Sequence, residues 1–382
     1  MPDFVVQLDR ESAIRATAAS SLASAPEIII SEAAVDRDWD AFLAQTPGGH
    51  HVQTSMWSRL KATIGWKVVR LVAKEGGRIV GGVQVLMRRY GKGLEIGYAP
   101  KGPIFSAASE QTMAAFVAAL RHQVRAHKLQ CLIVQPPNET PLITVLRESE
   151  FRPVRMATFL RATTLVNLKP SVDDILRAMK ESTRHSVRKS QRRGVQVRRG
   201  GGEDLDIFYE LLMATAARQG FRDYSKSYFQ ELWRLFAPNG HAQLFVAEAT
   251  GKPVAVLLKI SFGDTVVSKK RGWSGELGRQ RPNEAADWAA IQWAKEAGYH
   301  YYDFEGVPLG LAQSVLRGES LSDSGRRIPS SYKLGYGGEI RIFPEPLAFF
   351  SNPMIRWGHR WLYPTIAGWP IVDRLANRIK VN

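Results

Sequence analysis

Two short stretches of this 382-residue chain combine residue types that could do chemistry. The first, Tyr301-Tyr302-Asp303-Phe304-Glu305-Gly306-Val307, reads as an aromatic and acidic strand. Alternate residues of a strand share a face, so Asp303 and Glu305 are expected on one side. Two carboxylates facing a cleft could orient or deprotonate an attacking amine, or could pair with nearby arginines. The second stretch is Lys333-Leu334-Gly335-Tyr336-Gly337-Gly338. A lysine at a glycine turn can stabilise an oxyanion or neutralise a phosphate, whereas a surface lysine is the plain alternative.

Further features suit anions. Arg279 and Arg281 directly precede a helix pattern that runs from Asn283 to Ala297, with Pro282 suited to its first turn. A helix N-terminus offers free N–H groups and a positive dipole end, which the two arginines would reinforce. The most basic segment follows Ser171, a good N-cap with Asp173 and Asp174 in the first turn. One helix is expected there, over 172–194, ending at Gly194. Between Arg177 and Arg199 lie nine Arg or Lys, opposed only by Glu181. Arg184, Arg188 and Arg192 are spaced i, i+4, i+8 and share a face, a stripe that suits a phosphate backbone or, more plainly, solvent.

Other chemistry is excluded or unsupported. There is no Walker loop and no Gly-x-Ser-x-Gly elbow. His50-His51 has no ligand spacing on a regular element and reads as a loop pair, so no metal site is expected. The single cysteine, Cys131, excludes an internal disulfide and falls in an apolar run, as a core residue would. Lys and Arg outnumber Asp and Glu by 52 to 36, a net charge of +16 that favours an anionic partner. No apolar run approaches the roughly 20 residues needed to span a bilayer, and the first 25 residues lack a signal-peptide core. A cytoplasmic protein is expected.

The elements that must position these residues occur twice. A hairpin around Gly76-Gly77 (Val68 to Met87) reads beside one around Thr250-Gly251, about 174 positions later. Each is followed by a strand, a helix and a buried strand: Gln111–Gln135 in the first half, Asn283–Glu305 in the second. The matched order implies an α/β (α+β) architecture duplicated in tandem. The expected layout is a loose tail over 1–25, a first domain over 26–168, a second over 169–345, and an extension over 346–382. The loop Leu309–Pro329 is read as long and polar. The extension interleaves aromatics (Phe349, Trp357, Trp361) with arginines, which suits a membrane interface or, the expected outcome, an arm packed on the second domain.

Taken in order, the motifs resemble the Fem family (FemABX), the peptidoglycan interpeptide-bridge aminoacyltransferases. The pieces span roughly Trp39 to Ile342. They are Gln53-x-x-x-Trp57-x-x-x-Lys61 with Gly65-Trp66, Tyr98-Ala99-Pro100-Lys101-Gly102-Pro103, and Arg184-x-x-x-Arg188-Lys189 with Gly194-Val195. Arg218-x-Gly220-Phe221, Pro282-Asn283, Trp288-x-x-Ile291-x-Trp293-Ala294-Lys295, Tyr302-Asp303-Phe304-x-Gly306-Val307 and Lys333-x-Gly335-Tyr336-Gly337-Gly338 complete them. The run Lys270-Arg271-Gly272-Trp273-Ser274 departs from the family's usual tyrosine before Gly-Ala-Ser, and no coiled-coil arm is visible.

The resemblance implies two tandem GNAT-type acyltransferase domains. It implies transfer of an amino acid from aminoacyl-tRNA to an amine of a peptidoglycan precursor peptide, by direct aminolysis with no metal, further cofactor or covalent intermediate. Lys61 and Arg218 or Arg222 would bind acceptor phosphates, Trp57 and Tyr302 would belong to the same substrate site, and Lys333, Asp303 and Glu305 would form the catalytic group. Arg184, Arg188, Lys189, Arg192, Arg279 and Arg281 would meet the tRNA. Two rival readings stand beside this one. One is a CoA-dependent N-acyltransferase of a cell-envelope polysaccharide or lipid-linked sugar, disfavoured by the single glycine of Gly278-Arg279-Gln280-Arg281-Pro282. The other is a non-catalytic protein that binds RNA or the inner face of the plasma membrane.

Overall fold

In the computed structural model, residues 26–91, 93–154, 159–319, 325 and 328–361 are described. Fifteen strands occur among them. The first eight are β1 (Glu27–Ser31), β2 (Lys67–Glu75), β3 (Arg78–Tyr90), β4 (Leu94–Ala99), β5 (Ile104–Phe105), β6 (Cys131–Val134), β7 (Arg152–Pro153) and β8 (Ala162–Asn167). The rest are β9 (Gln196–Gly200), β10 (Ala242–Ala249), β11 (Lys252–Phe262), β12 (Thr265–Trp273), β13 (Tyr301–Asp303), β14 (Glu339–Ile342) and β15 (Leu347–Phe350). They form two sheets, ordered β1-β2-β3-β4-β6-β15-β7 and β14-β8-β13-β12-β11-β10-β9.

The duplication is visible strand by strand. Hairpins β2–β3 and β10–β11 turn at Gly76-Gly77 and Thr250-Gly251, both pairs at positive φ, as a tight two-residue hairpin requires. Each carries a register shift at the same place, after Ala73 and after Ala247, again 174 positions apart. Each hairpin feeds an antiparallel strand, β4 or β12, which then pairs in parallel with β6 or β13. The crossovers are the helices Glu110–Ala126 and Pro282–Glu296. Their apolar faces, with Phe116 and Leu120 in one and Ala290 and Ile291 in the other, are buried against their own sheets. A third core joins the halves, with Trp57 and Leu60 of the helix Ser55–Ala62 packed among Phe208, Tyr228 and Leu232.

The strands that flank the parallel pairs cross between halves. β8, expected in the first domain, hydrogen-bonds to β13 in the second sheet. β15, expected in an arm on the second domain, lies between β6 and β7 of the first sheet, where Leu347 and Phe349 are fully buried. The exchange is therefore reciprocal, and the boundary near residue 168 and the placement of the extension both change. Trp361 closes the helix Pro353–Trp361, and residues 362–382, like the tail 1–25, lie outside the described residues. No helix among the described residues is long and apolar enough to cross a membrane.

Two elements differ from the sequence pattern. The basic helix is two helices, Val172–Ala178 and Glu181–Arg192, broken at an extended Met179. The break is tertiary: Lys180 donates its N–H to Gly335 O (2.9 Å), and Met179 is buried. The loop expected after Leu309 starts as a helix, Leu309–Leu316, because Leu311 and Ala312 pack on Val307, Leu334 and Ala162.

Candidate active site between the two sheets

β12 pairs with β13 only from Thr265 to Val267, so Ser268–Trp273 runs on past the end of β13, beside the 304–307 turn. Glu305 does not continue the strand, which ends at Asp303. It turns into the left-handed region (φ 43), an uncommon and strained conformation for a residue with a Cβ. The two carboxyl-bearing residues still meet, because Glu305 donates its N–H to Asp303 Oδ1 (2.7 Å). Thr163 Oγ1 donates to the same oxygen. Burial pushes the Asp303 carboxyl above its ordinary range, against the pull of Lys101.

Lys333 stands over this turn from the 3₁₀ segment Ser331–Gly335. Its ammonium donates to the carbonyls of Glu305 and of Gly306, the latter at 2.9 Å. Backbone carbonyls in a part-buried turn need such a partner. An ammonium has three donors, so one remains for a ligand. Burial lowers the Lys333 pKa to about 8, with Glu305 favouring its charge and Arg271 opposing it.

A row of cations and rings leads from there into the first half. The Glu305 carboxylate pairs with Lys269 at 3.3 Å. Lys269 Nζ lies 5.0 Å from the Trp57 ring centre, and Lys61 Nζ lies 4.8 Å from it. Lys61 is fully buried, donates to Tyr224 Oη (3.0 Å) and is also faced by Tyr228. Burial, then Lys269 and Lys270, drive its pKa well below the ordinary lysine value. Asp223 would offset this, but Lys270 already holds Asp223 at 2.7 Å. Lys61 is thus a buried lysine whose charged form the fold disfavours.

Two openings border the row. A recess of about 30 Å³ is walled by Trp57, Tyr98, His50, Lys101, Lys269 and Glu305. That is room for a single water-sized group, such as an amine. His50 and Lys101 also wall a larger cleft of about 510 Å³ between the halves. His50 Nδ1 accepts from Val52 N–H (3.3 Å), and burial, with Lys101 and Lys269 nearby, lowers the pKa of both His50 and His51 well below the ordinary histidine value. The expected loop pair is therefore part of the wall, a role its spacing gave no sign of. Lys101 is 7% exposed, adopts φ 53, and has its pKa lowered by burial to about 8.

Other expected site residues lie apart from the row. Tyr302 is fully buried, and its hydroxyl donates to Asp287 (3.4 Å), leaving no face open to a ligand. Asp287 also receives Arg271, Lys259 (3.5 Å) and Tyr336 Oη (3.1 Å) in one sealed cluster that no sequence motif signalled. Lys259 there is lowered to about 7 by burial. Arg218 stacks on Trp273 (4.9 Å) and donates to its carbonyl, so its guanidinium is held at the end of β12. Arg222 is exposed.

On the basic helix, Arg188 and Arg192 are exposed, but Arg184 caps the preceding helix by donating to Arg177 O (2.8 Å) and Met179 O (3.1 Å). Lys189 is half-buried. Arg198, counted in the unopposed run, pairs with Asp204 (2.7 Å) and Glu248 (2.8 Å). At the helix starting at Pro282, Arg281 is left-handed and reaches Glu284 at 3.4 Å, and Arg279 is exposed. Burial pushes the Cys131 thiol up to about 12, as for an inert core residue.

Residues 34–149 match the FemAB family, and residues 177–312 match the acetyltransferase (GNAT) domain. Among curated relatives, the lipid II:glycine glycyltransferase of Staphylococcus epidermidis RP62A is 26% identical over 227 residues, 56% of this chain and 55% of its own length. That of Staphylococcus aureus MRSA252 is 24% identical over 229 residues, 57% and 54% of the two chains. The chain thus spans about half the length of the curated relatives it matches. Among solved structures, FemX superposes with a TM-score of 0.75 at 18% identity, over 89% of this chain and 99% of its own. A tandem GNAT protein from the clavulanic acid biosynthesis pathway gives 0.51 at 13% identity, over 86% and 99%.

Proposed function

We propose that this chain, a FemABX-family protein with two GNAT-like domains, is an acyltransferase that moves an amino acid from aminoacyl-tRNA to an amine of a peptidoglycan precursor. One observation carries the reading: the continuous row Lys333–Glu305–Lys269–Trp57–Lys61, which crosses from one half to the other. It joins Lys333, placed to stabilise a developing negative charge on a carbonyl oxygen, to the recess beside Glu305 and, past Trp57, to the buried Lys61.

In this reading the amine enters the small recess beside Glu305. Lys101 and Lys269 on its walls act against an ammonium there, in opposition to the Glu305 carboxylate, which Lys269 already pairs. The amine nitrogen attacks the ester carbonyl carbon, and the free N–H of Lys333 stabilises the oxygen that becomes negative. Collapse breaks the ester C–O bond, the amide forms, and the proton lost by the amine returns to the departing tRNA hydroxyl. Glu305 can accept it in between. The exposed Arg188 and Arg192, with Arg279, would meet the tRNA backbone.

A CoA donor is less well supported. In the loop before Pro282, Gln280 and Arg281 spend their N–H groups on Leu277 O (2.9 Å) and Gly278 O (3.2 Å), leaving few for a pyrophosphate. The deciding experiment offers labelled aminoacyl-tRNA or labelled acetyl-CoA, each with a lipid-linked peptidoglycan precursor. Label from aminoacyl-tRNA is expected in the acceptor. Label from acetyl-CoA alone overturns the proposal.

A further inference from the structure

The helix Pro353–Trp361, which follows β15 directly, has no part in the chemistry above. It is fastened to the protein on one side. Asn352 Oδ1 accepts from the N–H of Met354 (2.8 Å), and Arg356 runs back over the Phe349 ring (5.6 Å) to pair with Glu150. At about 3.6 residues per turn, Met354, Ile355 and Trp357 fall on the side away from Arg356. They are 78%, 42% and 61% exposed, so three large apolar side chains are held out to solvent side by side. The strand register extends the patch. Ser351 donates its N–H to Gln130 O (3.1 Å), and Gln130 donates to Glu95 O (2.9 Å). The exposed Leu94 therefore lies two strands over, roughly 10 Å away at the same end of the first sheet.

The charge around this end is one-sided. Strand register and the adjoining helix ends place Lys67, Arg89, Arg125, Lys128 and Arg147 here, all exposed. The carboxylates are fewer. Glu32 and Glu148 are exposed, Glu95 is half-buried, and Glu150 is taken up by Arg121 (2.7 Å) and Arg356. The helix itself carries none. Apolar side chains ringed by cations select a partner that is apolar within and anionic at its surface. A second copy of the chain on a two-fold axis would set these cations against their own images. A bilayer of anionic phospholipid offers hydrocarbon to Met354, Ile355 and Trp357 and phosphate to the cations, and tryptophan settles at that boundary. The row of the proposed site leads the same way: Arg88, which opposes the charge of Lys61, stacks on Tyr90 (5.4 Å), the strand partner of Leu94.

We propose that this end of the first sheet is a membrane-docking surface: the helix Pro353–Trp361 lies on an anionic phospholipid bilayer, with Met354, Ile355 and Trp357 in the interfacial layer and Arg125, Lys128 and Arg147 on the headgroups. Arg356 stays on Glu150, so the helix remains seated on the protein while its outer face binds. The contact is shallow and reversible. Its headgroup part is screened by salt and its apolar part is not.

The test is co-sedimentation of the full chain with vesicles of phosphatidylcholine, alone or mixed with phosphatidylglycerol. Binding to the mixed vesicles is expected, weakened about fivefold for each charge removed in Arg125→Gln with Lys128→Gln. Met354 and Trp357 are exposed, so Met354→Ser with Trp357→Ser should fold, and it should bind about tenfold or more weakly. Peroxide oxidation of Met354, read by mass spectrometry, needs no substitution: it should be fast in the free protein and slowed by the mixed vesicles. Equal binding of the wild type and the serine variant overturns the proposal, as does binding indifferent to phosphatidylglycerol. Resistance of Met354 to peroxide without vesicles overturns it in favour of the segment 362–382 covering the helix. A wild-type dimer that the serine variant returns to monomer overturns it in favour of a second copy. No donor or acceptor is present, so the surface and the assignment of function fail separately: absence of vesicle binding leaves transfer from aminoacyl-tRNA standing, and transfer from acetyl-CoA alone leaves the docking surface standing.

Discussion

Lys333→Met tests the proposed chemistry and its electrostatics together. Methionine keeps the length and apolar stem and removes the three N–H donors. With the oxyanion donor gone, kcat should fall about 10²–10³-fold, the usual cost of such a group. The carbonyls of Glu305 and Gly306 lose their partner, at about 1–3 kcal/mol each. Against that, the folded state no longer buries a charge. The gap between the ordinary lysine value of 10.5 and about 8, at about 1.4 kcal/mol per pH unit, makes that penalty about 3 kcal/mol. The two effects roughly offset at pH 7. The pH dependence separates them. Between pH 8 and 10.5 the unfolded lysine keeps its proton and the folded one has lost it, so unfolding takes up a proton and stability rises with pH. Below pH 8 both forms are charged and the penalty is constant. Wild-type stability minus that of Lys333→Met should therefore climb by about 3 kcal/mol from pH 7 to pH 10.5. Lys101 is common to both proteins, and the repulsion of Lys259 by Lys333, the last of the causes that lower Lys259, is lost in the variant and enters the difference as a minor contribution. Urea unfolding at several pH values, beside transfer rates, gives both readouts. A flat difference, or a kcat within about threefold of wild type, would refute the placement of Lys333 as a buried, oxyanion-facing cation.

Three further outcomes are expected. Arg188→Glu with Arg192→Glu should weaken tRNA binding and lower its slope against log salt by about 0.7–0.9 for each phosphate no longer neutralised; filter binding from 50 to 200 mM salt would show no change if these exposed arginines are idle. Asp287→Asn should cost about 3–5 kcal/mol in urea unfolding, because it leaves the buried Lys259 and the half-buried Arg271 without their counter-charge. Phe349→Ala should cost the first half a similar amount, about 3–5 kcal/mol, as a large cavity in a closed core does; a surface arm would lose almost nothing.

Much of the fold was legible because local signals agreed. Gly76-Gly77 and Thr250-Gly251 force tight turns, and the runs around them are rich in Val, Leu and Ile as buried strands are, so the repeat could be read from residues alone. β15 could not be read that way. Leu347-Ala348-Phe349-Phe350 is a short apolar run with no turn-linked neighbour, and its partner Cys131–Val134 lies more than 200 residues earlier. The break at Met179 carries no glycine or proline and exists only through Gly335. At the site, Lys333, Asp303 and Glu305 were found by residue type and do converge. Glu305 arrives by a left-handed turn that breaks the alternation used to place it. Lys101 and His50 were hidden because neither has a distinctive spacing. Lys259 and Asp287 were hidden because buried ion pairs look like surface residues until the partner is known.

The reciprocal strand exchange also sets a schedule for synthesis. The first sheet holds a gap between β6 and β7 until β15 arrives, and Leu347 follows Pro153 by 194 positions. At about 5–20 residues per second, a ribosome needs roughly 10–40 s to supply that strand. Until then the nascent chain presents the unpaired N–H and C=O groups of β6, an open edge of the kind that recruits foreign strands. Among the described residues the last strand to emerge is thus the one that closes the amino-terminal sheet.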